Sequence, residues 1–422
     1  MSHRSTGTLV VGASQAGVHL AATLRELGDM APIALLGAEA HAPYQRPPLS
    51  KEFLAGDGGH DGIAFRTDAW YADHRVDLVC GERVVDVALT ESGPEGSGLA
   101  RTSSGLEIAF DRLALTVGAR PRRLAVPGSD LSGVLYLRDL DDAVRLRTAL
   151  ANASRVIVVG GGFIGLEAAA AARARGAEVT VVEAADRLVP RAVAPVVSQF
   201  YRQAHERRGA TVLLDSIVAG FTGEHGSVTD VELADGRVLR ADLVLVGIGV
   251  VPRTELADQL GLLCDGGIVV DSRARTSTPS VVAAGDCTVL PHPMTGAGLV
   301  RLESVPSAIA QAGVAAATLL GLSPDTRSVP WFWSNQGDLK LQIAGLSAGF
   351  DHLVLRGDPD SERFSVLYYR DGELLAVDAM NNPMDYLVVR KALTQGASIP
   401  AELAANADVP LKKMLAAAQT LR

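Results

Sequence analysis

Sulfur is scarce in this chain: 422 residues hold three cysteines, Cys80, Cys264 and Cys287. None forms a C-x-x-C or other close pair, so no redox dithiol or thiolate metal site is written locally. The expectation is three buried, reduced thiols in a cytoplasmic protein. The nine histidines show no metal-ligand spacing, and His292, five residues after Cys287, reads as a loop residue. Positive charge is in the minority, 39 Lys and Arg against 48 Asp and Glu, leaving −9. That balance argues against a nucleic-acid partner. No run of 18 apolar residues is free of charge or glycine, so no membrane span is expected. The first residues, Met1 to Gly7, lack the apolar stretch of a signal peptide.

Glycine, by contrast, is plentiful at 43 residues, and it clusters where phosphate binding needs it. Val156 to Glu167 (VIVVGGGFIGLE) reads as a buried strand, a glycine turn and a helix start. Gly160, Gly162 and Gly165 have the G-x-G-x-x-G spacing: a tight turn, a close approach to pyrophosphate, and helix-on-strand packing. The helix N-terminus would offer free N–H groups to phosphate. A second strand, Glu178 to Val182, leads to Glu183, 23 residues beyond Gly160, where an acid bonds a ribose 2′-hydroxyl. Phe163 and Ile164 open the helix. The acid favours NADH over NADPH, while Arg187 leaves room for a 2′-phosphate.

An earlier unit repeats the pattern 148 residues upstream. Thr8 to Val11 is a strand, Gly12-Ala-Ser-Gln-Ala-Gly17 the turn, Val18 to Leu27 a helix and Ile33 to Leu36 the next strand. Ser14 takes the middle glycine's place, and the first acid is Glu39. Pro43 to Lys51 (PYQRPPLSK) follows, with three prolines in six residues. It is expected to be an extended, stiff loop ending in Lys51. Spacing alone leaves Lys51 either a positioned ammonium or a solvated loop lysine.

Val76 to Val87 and Ala100 to Leu115 read as strands of a small antiparallel layer, with Glu91 to Gly98 as its turn. Leu113 to Pro121 and Ala241 to Pro252 are apolar strands running into glycine and proline, and they carry the chain out of and back into the first domain. Thr116 and Gly118 lie at one strand end, Gly247 and Gly249 at the other. Asp139 is a candidate N-cap for a helix over 139–151. Helices are also expected at 192–208, 305–320, 384–393 and 410–419. Gly285-Asp286 follows a short strand, where the carboxylate is either a hydroxyl ligand or a cap. From Arg327 the chain turns to strands, opened by Pro330-Trp-Phe-Trp-Ser334, with Trp331 and Trp333 on one side.

Taken together, these pieces resemble the FAD-dependent pyridine-nucleotide oxidoreductases. Within them the chain resembles the ferredoxin reductases that serve bacterial cytochrome P450 and Rieske-type dioxygenase systems. The resemblance runs from Leu9 to about Leu421. It rests on Arg46-Pro-Pro-Leu-Ser-Lys51, Gly160 to Glu167, Ala284-Gly-Asp-Cys287, Arg301-Leu-Glu-Ser-Val-Pro306, Pro330 to Ser334 and Val409-Pro-Leu-Lys412. It implies an α/β fold of the glutathione reductase-like kind: two Rossmann-like domains and a C-terminal α+β domain covering the flavin. The boundaries expected are 1–117 with 247–326 for FAD, 118–246 for NAD, and 327–422.

The resemblance also implies site residues. FAD contacts fall at Ala16, Ala38, Lys51, Val84, Arg138, Asp286 and Val305. Gly12, Ser14, Gly17, Glu39, Arg46, Thr116, Gly118, Gly285, Glu303, Ser304 and Trp333 complete that set. Relatives carry an acid at Ala38, so Glu39 is the candidate replacement. NADH falls to Gly160, Gly162, Phe163, Ile164, Gly165, Glu183, Arg191, Gly247 and Gly249. Lys51 is expected to balance charge at the flavin, Glu167 to pair with Lys51 and hold the carboxamide, and Trp333, with Trp331 as alternative, to shield the ring. Disulfide reductases of this superfamily need a cysteine pair just after the first unit, and this chain has none there. Electrons then leave singly from the flavin to a [2Fe–2S] ferredoxin, and indirectly to a P450 or Rieske oxygenase. A rubredoxin reductase, an NADH oxidase, and a non-catalytic NADH-responsive flavoprotein are the alternatives. A monomer is expected.

Overall fold

The computed structural model describes residues 3–56, 60–90 and 96–420. By contacts the chain forms two compact units, Met1–Gln45 with His60–Arg120 and Val251–Pro330, and Arg46–Gly59 with Pro121–Val250 and Trp331–Arg422.

The first unit is built on a parallel sheet. His3–Val11 lies between Ile33–Gly37 and Glu107–Leu115, and Val281–Ala283 adds a further parallel strand beside Glu107–Leu115. Leu9, Val10, Leu35, Leu36, Leu113 and Ala114 are at most 1% exposed, as strands covered on both faces require. The helix Gln15–Glu26 covers one face beside Val305–Leu319. Ala308, Ala312, Ala315 and Ala316 are all buried, and their small side chains let the two helices approach closely.

The expected strand over 76–87 is two strands. Val76–Cys80 pairs in parallel with Ile33–Gly37, so it belongs to the main sheet and not to the antiparallel layer. Gly81, at φ 78°, ends it, and its N–H donates to Glu39 O at 2.7 Å. Alternation identifies a strand but not its neighbour. Val84–Leu89, Gly98–Thr102 and Glu107–Leu115 do form the antiparallel layer. Of the expected turn 91–98, residues 91–95 lie outside the described residues.

The proline-rich stretch is also corrected. Pro47–Ser50 is a 3₁₀ turn and Glu52–Ala55 one turn of α-helix, not an extended loop. Proline's fixed φ suits a helix start, where its missing N–H has no partner to lose. The segment is fastened within the second unit. Arg46 donates to Arg138 O at 2.7 Å, Arg175 to Leu54 O at 2.5 Å, and the Arg147 guanidinium lies 4.3 Å from the Phe53 ring centre.

The second unit holds a parallel sheet ordered Thr211–Leu213, Glu178–Val182, Arg155–Val159, Leu243–Val246 and Val134–Leu135. Phe163–Ala174 and Pro195–Arg207 are its main helices, and Asp139 caps Leu140–Leu150 through a capping box with Asp142. A three-stranded antiparallel sheet runs over 218–240. A five-stranded antiparallel sheet follows, ordered Trp331–Gln336, Leu339–Gly345, Glu373–Met380, Arg363–Arg370 and His352–Asp358. One core joins the two larger sheets: Val158, Leu166 and Tyr201 pack in the same cluster as Leu339, Leu341, Phe364 and Tyr368. Arg356, buried against Asp385 at 3.1 Å, also donates to Val409 O at 2.7 Å and so anchors the last segment. No helix among the described residues is long and apolar enough to cross a membrane.

Candidate functional site

In the first unit the glycine turn is closed by backbone. Gly12 sits at φ 118°, and a Cβ there would lie 2.2 Å from Thr116 O. A Cβ on Gly17 would lie 1.9 Å from Gly12 O, so only glycine lets the helix start this close to the strand. The Thr116 hydroxyl braces the turn through Gly12 O at 2.8 Å and Val11 O at 3.1 Å. Ser14 is the extended N-cap of Gln15–Glu26. Ala16 is buried, and a Cβ on Gly285 would come within 3.1 Å of its methyl.

The Gly285–Asp286 turn is held by a residue that sequence reasoning missed. Gln311 Oε1 accepts from Gly285 N at 3.1 Å and Thr288 Oγ1 at 2.7 Å, and Gln311 Nε2 donates to Ser307 Oγ at 2.9 Å. Ser304 caps the helix that Val305 opens, and Glu303 pairs with Arg301 at 2.8 Å. Past the strand Ile33–Gly37, Ala38 is exposed and the Glu39 carboxylate accepts from Tyr44 OH. Val84 is buried, and Gly118 sits at φ 64°.

In the second unit the three glycines divide their work. Gly160, at φ 106°, would place a Cβ 2.5 Å from Gly247 O, and Gly165 would place one 2.2 Å from Gly160 O. A Cβ on Gly162 meets nothing within 4 Å, so that face of the turn is open. Gly161 was not part of the motif, yet its Cβ would fall 2.4 Å from Leu188 Cδ2. Its N–H donates to Glu183 Oε2 at 2.5 Å while Ala185 N donates to Oε1 at 2.8 Å, so main chain orients this carboxylate. Arg187 is committed elsewhere, to Val193 O, Ser198 Oγ and Pro190 O at 2.8, 2.9 and 2.5 Å. Phe163 packs on Phe332 at 4.7 Å between ring centres, and Ile164 is exposed. Arg191 is exposed, with Nη2 3.8 Å from where a Gly249 Cβ would stand, and Gly247 N donates to Val159 O.

Two residues past Gly165, Glu167 is the centre of a buried polar group. Its Oε2 accepts from Lys51 Nζ at 2.8 Å and Ser50 Oγ at 2.5 Å, and its Oε1 from Ser334 Oγ at 2.7 Å. The two charged side chains are only 12% and 4% exposed. Burial of that kind is offset when hydrogen bonds fill the remaining lone pairs, as Ser50 and Ser334 do here. Lys51 also donates to Pro47 O at 3.2 Å. Lys51 is therefore paired rather than solvated. Ser50 and Ser334 were missed, although Ser334 alternates with Trp333 and so had to face the opposite side of the strand.

That alternation separates two chemistries on Trp331–Gln336. Trp331 and Trp333 stack at 5.5 Å, with Arg390 4.7 Å over Trp331. Phe332, Ser334 and Gln336 face the other way, toward Phe163, Glu167 and His205.

The cysteines are not thiolates. Burial pushes Cys287 up to about 12, and burial with a hydrogen bond from the Cys264 thiol to the Asp258 carboxylate pushes Cys264 up to about 11; burial raises Cys80 as well. The expectation of three buried thiols holds for Cys287 alone, since Cys80 and Cys264 are half-buried. Among the described residues no three His, Cys, Asp or Glu side chains group as metal ligands.

A family model of pyridine nucleotide-disulphide oxidoreductases matches residues 6–312, and one of the reductase C-terminal region matches 331–415. Rhodocoxin reductase of Rhodococcus erythropolis is 44% identical over 408 residues, spanning 97% of this chain and 94% of that protein. The crystal structure of the ferredoxin reductase for the CYP199A2 system of Rhodopseudomonas palustris superposes with a TM-score of 0.92 at 40% identity, covering 97% of this chain and 99% of that one. A chain of the covalent putidaredoxin reductase–putidaredoxin complex gives 0.92 at 36% identity, covering 98% and 99%.

Proposed function

The chain belongs to the pyridine nucleotide-disulphide oxidoreductases, and from that premise we propose that it is an NADH:ferredoxin reductase holding FAD. The observation that carries this is the pair of glycine turns, each packed so that a Cβ would strike main-chain oxygen, in a chain whose thiols are all raised. The residues present fit two dinucleotides. Gly12 and Gly17 give the first turn the close backbone that FAD needs, and Gly162 leaves the second turn open for a pyrophosphate. Glu183, held by two N–H groups, would accept from the NADH ribose; Arg187, engaged by three oxygens, offers little to a 2′-phosphate.

The chemistry that FAD would supply here is hydride acceptance and one-electron release. Lys51 contributes a fixed positive charge, which Glu167 orients. Trp333, with Trp331 stacked on it as the alternative, would shield the ring. No sulfur stands in 43–51, so the electrons pass to an external carrier, a [2Fe–2S] ferredoxin serving a P450 or Rieske oxygenase. The division into an FAD domain, an NAD domain and a C-terminal domain, a monomeric state, and the cytoplasm as compartment belong to the same proposal. Three unpaired cysteines support the last.

The test is an anaerobic titration of the yellow protein with NADH, followed by a [2Fe–2S] ferredoxin and cytochrome c. Bleaching by NADH with cytochrome reduction that requires the ferredoxin is expected. Bleaching with no effect of ferredoxin, but fast turnover on rubredoxin or oxygen alone, would replace this reading.

A further inference from the structure

Glu167 is the end of a longer chain of hydrogen bonds. Ser334 Oγ donates to Glu167 Oε1 at 2.7 Å. Gln336 Nε2 donates to Ser334 Oγ at 3.3 Å. His205 Nε2 meets Gln336 Oε1 at 2.8 Å. Glu167, Ser334, Gln336 and His205 are each 5% exposed or less, so bulk solvent does not compete for these partners.

The direction of the chain follows from counting protons. A serine hydroxyl has one hydrogen, and a carboxylate can only accept. Ser334 gives its hydrogen to Glu167, so it must accept from Gln336, whose amide then turns its oxygen to His205. His205 Nε2 must carry a hydrogen. Burial lowers the pKa of His205, opposed by the hydrogen bond to Gln336 and aided by Arg208, and the net lowering favours the neutral ring. A neutral ring with hydrogen on Nε2 is one tautomer of two.

We propose that Ser334, Gln336 and His205 are positioning residues: a one-way hydrogen-bond chain that ties up one oxygen of Glu167 and leaves the other to Lys51 and Ser50. This rests on the flavoprotein reading above for its purpose, but not for its geometry. Strand Trp331–Gln336 supplies two members and helix Pro195–Arg207 the third, so the C-terminal sheet sets the orientation of a side chain on the nucleotide-binding helix.

The chain reverses if Glu167 becomes a donor. In Glu167→Gln, Lys51 and Ser50 both donate to one end of the new amide, which must be its oxygen; the NH₂ then points at Ser334. Ser334 turns its hydrogen to Gln336, the Gln336 amide flips, and His205 Nε2 becomes an acceptor. The imidazole hydrogen moves to Nδ1 by exchange with solvent.

The experiment is ¹⁵N NMR of histidine-labelled, FAD-loaded full chain, with the His205 signal identified by its loss in His205→Asn. The expected result is hydrogen on Nε2 in the unsubstituted protein and on Nδ1 in Glu167→Gln. Hydrogen on Nδ1 in the unsubstituted protein, or no change in Glu167→Gln, overturns the proposal. Ser334→Ala adds a kinetic readout: stopped-flow flavin reduction slowed roughly 10- to 100-fold at unchanged NADH affinity, with Ser334→Thr restoring the rate. Reduction by Ser334→Ala at the unsubstituted rate also overturns it. If NADH fails to bleach the unsubstituted protein, the function falls while the tautomer result still decides the chain.

Discussion

The two glycine turns share a spacing and differ in what lies behind it. Gly12, Gly17 and His19 stand 148 residues before Gly160, Gly165 and Glu167. After the first turn the position holds a half-buried His19, edge-on to Phe65 at 6.3 Å. After the second it holds a buried carboxylate with three side-chain donors. Just past the second strand the contrast repeats: exposed Ala38 in one unit, main-chain-bound Glu183 in the other. The first turn is fixed by shape, and the second by shape and buried charge. One backbone solution therefore serves both, while the polar groups around each turn are set by residues outside the motif.

The largest effect that would test this contrast is Lys51→Met. It strands Glu167 without its cation, and loss of about 3–5 kcal/mol in denaturant unfolding is expected. A change under about 1 kcal/mol would mean the pair behaves as an exposed one. Next come Gly17→Ala and Gly165→Ala, each forcing a methyl into a carbonyl oxygen at about 1–3 kcal/mol. Gly17→Ala should purify with little flavin. Gly165→Ala should stay yellow and lose NADH affinity. Identical losses in both variants would erase the assignment of one nucleotide to each turn.

Asp378 sharpens the point about charge in the second unit. Burial raises its carboxyl to about 7, and Tyr368 donates to it. A folded value above the unfolded one means stability is full at acid pH and lost as pH rises toward 7. Asp378→Asn should match the unsubstituted protein below pH 4 and exceed it in stability at pH 8. Thermal melts at the two pH values decide this. Glu183→Ala should reduce NADH-over-NADPH discrimination about tenfold, since a hydrogen bond to a charged acid is worth about 1.5 kcal/mol or more. Unchanged discrimination in steady-state assays would remove Glu183 from ribose recognition. His19→Leu should do least, within about 0.5 kcal/mol at pH 8. Its ring pKa is lowered by burial and then by Arg66, so its contribution is present above the unfolded value near 6.5 and lost as pH falls below it. The variant should therefore flatten the melting temperature between pH 6.5 and 5.

Much of the site could be read without coordinates because its signals are local. Gly160, Gly162 and Gly165 lie within six residues, and Trp331 and Trp333 share a face through a period of two. The helix start at Pro47 is hidden for an equally local reason: proline breaks a helix interior, but its φ suits the first turn, where it stands here. Val76–Cys80 was given the wrong neighbour because pairing is not a property of one strand.

The chain's own order of residues determined two strand–turn–helix units, the glycines each turn needs, the wide spacing of the cysteines and the alternation of the tryptophan strand. These follow from backbone sterics and side-chain periodicity, which act over a few residues. Only the folded structure decided what the polar residues would meet. Ser50 and Ser334 reach Glu167 across 117 and 167 residues of chain, and His205 reaches Gln336 across 131. A buried donor or acceptor must find its partner in space, and which one it finds depends on how sheets and helices pack, which no single stretch of sequence encodes.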